Sequence, residues 1–224
     1  MNLSKLFSDR RRWLLYGALP LVLGLLFVGL YFSSNELFQT LASPKMQREF
    51  GLIENAQNLI LLGAIALCWR TAREVESSSA WAWRLASLFC LLLLLEEIDW
   101  GDHYWSLMTG FERPEGEHFN LHNQGDINRY LKKFVDIGFA VFFIILPLFK
   151  ERAPLWLRAL TPDPHSVLTL LGGVIVSQLA HGLEDAAWSN NGSLLNNISE
   201  FRETFTYFIG LYYLSELAER QRAA

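Results

Sequence analysis

Apolar residues in this chain gather into blocks separated by polar stretches, rather than alternating with a period of two. Six blocks approach the roughly 20 residues that a helix needs to cross a hydrocarbon core. They cover residues 13–32, 52–69, 81–98, 134–149, 167–187 and 205–217, and the last is the shortest. In lipid each backbone N–H and C=O must find its partner within its own segment, so blocks of this kind are read as helices. The pattern predicts an all-α fold: a polytopic transmembrane helix bundle of about six spans, forming a single integral membrane domain over residues 1–224. The connections are short except for residues 99–133, where Pro114, Glu115 and Gly116 mark a turn in a stretch rich in His, Asp, Asn and Gln. A loop of that length is often functional.

The flanks of the blocks give an orientation. One side holds eleven Lys and Arg (Lys5, Arg10, Arg11, Arg12, Arg70, Arg73, Lys150, Arg152, Arg158, Arg220 and Arg222). The other holds seven (Lys45, Arg48, Arg113, Arg129, Lys132, Lys133 and Arg202), with Arg84 unassigned. The positive-inside rule then puts both termini in the cytoplasm and the 99–133 loop outside. Arg10–Arg12 ahead of an apolar stretch could also open a signal peptide. The stretch is too long for an h-region, however, and no small-x-small site follows it, so it reads as an uncleaved first span. Trp13, Trp69, Trp81, Trp83, Trp100, Trp105 and Trp188 all fall near block ends, as an interfacial aromatic belt would.

Composition removes some alternatives. The net charge is −4 and no basic run forms a nucleic-acid patch, so no nucleic-acid partner is expected. Cys68 and Cys90, the only cysteines, both lie inside apolar blocks and read as small buried hydrophobes rather than a disulfide framework.

Polar residues converge on the outer face. The second block opens with Glu54, Asn55, Gln57 and Asn58. The third closes with Glu96, Glu97, Asp99, Asp102 and His103. Asp136 opens the fourth; Gln178, His181, Glu184 and Asp185 close the fifth; Glu200, Glu203 and Thr204 open the sixth. The inner halves of the blocks read as almost purely apolar. Spacing of i, i+3 and i+7 would set Glu96, Asp99 and His103 on one helical face, and Gln178, His181 and Asp185 on another. Charged faces of this kind are costly against lipid and should line the bundle interior or a water-filled cavity. Arg202, Glu200 and Asp102 are better read as solvated helix caps.

His with Asp and Glu is a ligand set for a divalent metal such as zinc, and the expected ligands are Glu96, Asp99, His122, His181 and Asp185. Glu54 and Glu97 are the candidate general bases on a bound water. The order His181-x-x-Glu184 reverses the Glu-x-x-His pairs of dimetal bundles. Neither H-E-x-x-H nor G-x-S-x-G occurs, which argues against a zincin and against a serine-elbow hydrolase. Proton and ion relays use the same residue types.

Two runs, Glu96-Glu97-Ile98-Asp99-Trp100-Gly101 and Asn120-Leu121-His122-Asn123, resemble a pattern of uncharacterised bacterial multi-pass membrane proteins. In those, E-E-x-x-W-G closes one span and N-L-H-N follows in the next outer loop. Asp99 and Asp102 stand where that pattern has Ser and Gln. The resemblance implies a bacterial cytoplasmic membrane and one site shared by the two runs, but no activity. The run Glu54-Asn55-Ala56-Gln57-Asn58-Leu59 is similar to the acidic, Asn-rich helix start of the alkaline ceramidases, which are zinc amidases acting on a lipid. Their last span carries a paired-His motif, and the sixth block here has no histidine.

These observations give three readings of function. The leading one is a membrane-embedded, metal-dependent enzyme acting on a lipid or lipid-linked substrate at the outer leaflet. The second is an ion-coupled transporter, which needs polar groups along the whole path. The third is a non-enzymatic assembly protein that docks partners on its outer loop. Oligomeric state is not legible.

Overall fold

The computed structural model describes residues 9–42, 51–110, 133–134, 137–186 and 199–223. Among them the chain is an all-α bundle with no strand. The helices are α1 (Arg10–Tyr31), α2 (Glu36–Ala42), α3 (Leu52–Glu74), α4 (Ser77–Glu97), α5 (Asp102–Thr109), α6 (Ile137–Leu148), α7 (Leu155–Leu160), α8 (Ser166–Asp185) and α9 (Ser199–Arg222). Four of these, namely α1, α3, α4 from Ser79 onward, and α8, are long and apolar enough to cross a membrane; α6 is a shorter apolar helix.

The sixth expected span differs most from its prediction. It extends over 24 residues, well beyond 205–217, and is too polar to rank with the four. It is held by packing rather than by hydropathy, since α9 lies against α3 and α8 and touches α1. At its first half, Phe201 and Phe205 are buried with Val28, Tyr31, Phe32, Ile53, Val176 and Ala180. At its far half, Ala218 packs with Cys68, Ala72 and Trp83. Trp83 is therefore a core residue and not part of an aromatic belt: it is 5% exposed, and its indole N–H donates to Gln221. Trp13, Trp69, Trp81, Trp100 and Trp105 are exposed; Trp188 lies outside the described residues.

Small residues set the helix crossings. A Cβ built on Gly24 of α1 would stand 2.8 Å from Phe205, and one on Gly173 of α8 would stand 2.9 Å from it. The Phe205 ring thus occupies the space those two glycines leave, the close backbone approach that membrane bundles favour. Two prolines inside apolar helices are accommodated in matching ways. Pro20 cannot donate to the Tyr16 carbonyl, and Thr169 Oγ1 does so instead at 2.6 Å. Pro147 cannot donate to the Phe143 carbonyl, and Ser166 Oγ lies 3.4 Å from it. A hydroxyl in the first turn of α8 thereby satisfies the Tyr16 carbonyl, and a second stands near that of Phe143. The helix is locally widened to π geometry beside each proline, over Leu14–Ala18 and Val141–Ile145.

The segment after α4 is more ordered than a loop. A 3₁₀ turn, Asp99–Gly101, leads directly into α5. Asp99, Trp100 and Gly101 all take positive φ, at 47°, 54° and 88°. That reversal ends α4, so Glu96, Asp99 and His103 do not share the single helical face that their spacing predicts.

Candidate functional site

Three helix ends meet at the Gln57 end of the bundle. The first turns of α3 and α9 bring Glu54, Gln57, Glu200, Glu203 and Thr204, and the last turn of α4 brings Glu97. Carboxylate oxygens of Glu97, Glu200 and Glu203 lie within 4.8 Å of one another, and all three side chains are partly buried. Among the described residues this is the one group of three or more His, Cys, Asp or Glu side chains with such spacing. Glu200 and Glu203 sit at i and i+3 on α9, with Thr204 and Tyr207 at i+4 and i+7 from Glu200, so one face of the helix supplies them all.

Buried polar side chains fix these carboxylates. Gln57 is fully buried. Its amide Nε2 lies 2.9 Å from Glu200 Oε2, 3.1 Å from the Glu200 carbonyl and 3.1 Å from Thr204 Oγ1. Its Oε1 is buried and accepts no hydrogen bond from the described residues. The Tyr207 hydroxyl donates to Glu97. Glu54 is 7% exposed and close enough to Glu200 for the two charges to interact. Positive helix-dipole ends at the starts of α3 and α9 favour Glu54, Glu200 and Glu203, but the end of α4 disfavours a carboxylate at Glu97. Gathering Glu97 onto the other two is therefore unfavourable unless the charge is neutralised by a proton or a cation.

The arrangement fits a cation. All its donors are oxygens, and their spacing suits ligands about 2.0–2.6 Å from a central ion. An oxygen-only set selects a hard ion such as Mg²⁺, Mn²⁺ or Ca²⁺ over zinc held by imidazole.

The residues expected from sequence are distributed as follows. Glu97 is in the group and Glu54 lies beside it. Glu96, one residue from Glu97, accepts from Trp100 Nε1 at 2.8 Å. Asp99 is 4% exposed in the strained turn. His181 and Asp185 lie on one continuous helix, α8, and both are exposed; His181 Nδ1 stands 3.9 Å from Glu184. His122 lies outside the described residues. Sequence reasoning set Glu200 aside as a solvated cap. The signal that could have kept it is the Glu200-x-x-Glu203-Thr204-x-x-Tyr207 spacing, which repeats the polar face of Glu54, Gln57 and Asn58 on α3.

The opposite end of the bundle is not apolar, contrary to the expectation for the inner halves. There Arg12 and Tyr16 of α1 meet Asp163, His165, and Glu216 and Arg220 of α9.

Comparison with known proteins found no family model, no curated protein and no solved structure that matches the chain at a significant level.

Proposed function

We propose that this chain is a membrane-embedded enzyme that binds a hard divalent cation at Glu97, Glu200 and Glu203 and acts on a lipid or lipid-linked substrate. The observation that carries the reading is the convergence of those three carboxylates, from two helices, within 4.8 Å at one end of an apolar bundle. A cation bound there would supply Lewis acidity toward an ester or phosphoester oxygen. Gln57 would hold Glu200, and Tyr207 would hold Glu97, in ligating orientation. Glu54, beside this group but outside it, would take the proton of the attacking water. The same reading places the site at the outer face of a bacterial cytoplasmic membrane, with the termini in the cytoplasm.

A cation carrier is the second reading. It is favoured by one observation: α9 carries partly buried charge at both ends, with Glu200 and Glu203 at one and Glu216 and Arg220 at the other. Ile209 and Phe205, both buried, interrupt that path with apolar packing.

Reconstitution into phosphatidylethanolamine–phosphatidylglycerol vesicles with Mn²⁺ separates the two. The enzyme reading expects Mn²⁺-dependent release of a lipid product, abolished by Glu54→Gln while Mn²⁺ binding persists. Mn²⁺ entry into the vesicles without lipid turnover would support the carrier instead.

A further inference from the structure

The end of the bundle opposite the carboxylates carries its own chemistry. Asp163-Pro164-His165-Ser166 forms the start of α8. Asp163 Oδ1 accepts the His165 backbone N–H at 2.9 Å, and Ser166 Oγ donates to the Asp163 carbonyl at 2.7 Å. Local turn geometry, an Asx turn and a hydroxyl-to-backbone bond, accounts for those two contacts. It does not account for the imidazole. His165 is 6% exposed, and its Nδ1 lies 2.6 Å from the same Asp163 oxygen. Arg12 holds the other Asp163 oxygen, so the carboxylate is ionised and can only accept. Nδ1 is therefore the protonated nitrogen, and Nε2 presents its lone pair. That Nε2 is buried and has no hydrogen-bond partner among the described residues. An imidazole oriented by a carboxylate on one nitrogen, with the other left open, is how proteins present a proton acceptor.

We propose that Asp163 and His165 form a second, buried acid–base site that takes up a proton at His165 Nε2. The proton comes from the aqueous phase onto the Nε2 lone pair, giving an imidazolium that keeps its Nδ1–H bond to Asp163. Groups of both signs surround the site. From α1 the site faces Arg12 and Tyr16; from α9 it faces Glu216, whose carboxylate accepts the Asp163 backbone N–H at 3.0 Å, the Tyr16 hydroxyl and Arg220. Lys150 adds a nearby positive charge. A metal is not the expected ligand, because no three metal-ligating groups converge here among the described residues. The site stands independently of the carboxylate group at the other end of α9.

Nitrogen NMR of the full chain, labelled at histidine and held in lipid nanodiscs, tests it, with the His165 signal identified by its loss in His165→Gln. At neutral pH the expected state is protonated Nδ1 with unprotonated Nε2, and Nε2 gains its proton as pH is lowered. Asp163→Ala, which leaves no acceptor opposite Nδ1, should abolish the preference for the Nδ1–H tautomer. A wild-type imidazole that carries its proton on Nε2 at neutral pH, or whose Nε2 never protonates while the fold persists, overturns the proposal and makes His165 a packing residue.

Discussion

Asp163 illustrates how a single side chain can be tied to several elements at once. Burial alone would push its carboxyl up. The His165 backbone N–H and imidazole, with the Arg12 guanidinium, outweigh that and hold it below its ordinary value. The sign of the linkage follows from that direction. The stability Asp163 contributes is fully present above the usual carboxylate range, near pH 4, and is lost as pH falls through the lowered folded value. Asp163→Asn should therefore lower stability at neutral pH by about 1–3 kcal/mol, since the charge is lost and the one remaining oxygen cannot serve both Arg12 and the imidazole. The deficit should shrink as wild type is acidified, as thermal melts between neutral and acidic pH would record. A deficit that stays constant with pH would mean that the carboxylate charge contributes nothing. Neither this residue nor His165 was legible as chemistry in the sequence, because a D-P-H-S run in a short connection reads first as a helix start. The Arg12 that completes it is 151 positions away.

At the scale of elements, apolar length matches the structure in four of the six blocks, while the block at 134–149 holds a shorter apolar helix among the described residues. The blocks at 13–32, 52–69, 81–98 and 167–187 correspond to helices long and apolar enough to span a membrane. It read poorly for α9, where only the apolar middle was visible. The ends of α9 are polar because they meet other polar helix ends, not because the helix stops there. The Phe205 crossing is the element-level feature most sensitive to change. Gly173→Ala would put a methyl group against the ring near 2.9 Å, closer than van der Waals contact allows. Overpacking of this kind costs about 1–3 kcal/mol. Gly63→Ala, where a Cβ meets nothing within 4 Å, serves as the control and should not destabilise. Equal melting temperatures for the two variants would show that Phe205 does not fix the crossing.

For the whole molecule, the bundle has two chemically distinct ends, and the proposed orientation would assign each to a side of the membrane. Single cysteines at Glu115 and Glu76 check it in intact cells. The first should react with an impermeant thiol reagent and the second should not; the reverse pattern would move the carboxylates to the cytoplasm. In the sequence Glu54 and Glu97 stand out at block ends, and the structure brings both to the end that holds Glu200 and Glu203. The sequence could not rank the ligands. Which of five helices' polar ends touch depends on long-range packing, and Glu97 and Glu200 are 103 positions apart in the chain. Imidazole ligands would suit zinc, whereas the proposed oxygen set of Glu97, Glu200 and Glu203 would suit a harder ion. Mn²⁺ titration of the purified chain, followed by paramagnetic resonance, tests that assignment most directly. The account predicts saturable binding of about one ion per chain, weakened by about 10- to 100-fold in Gln57→Leu through loss of the support on Glu200, and lost in Glu203→Gln. Absence of saturable binding in wild type, or undiminished binding in Glu203→Gln, would contradict it.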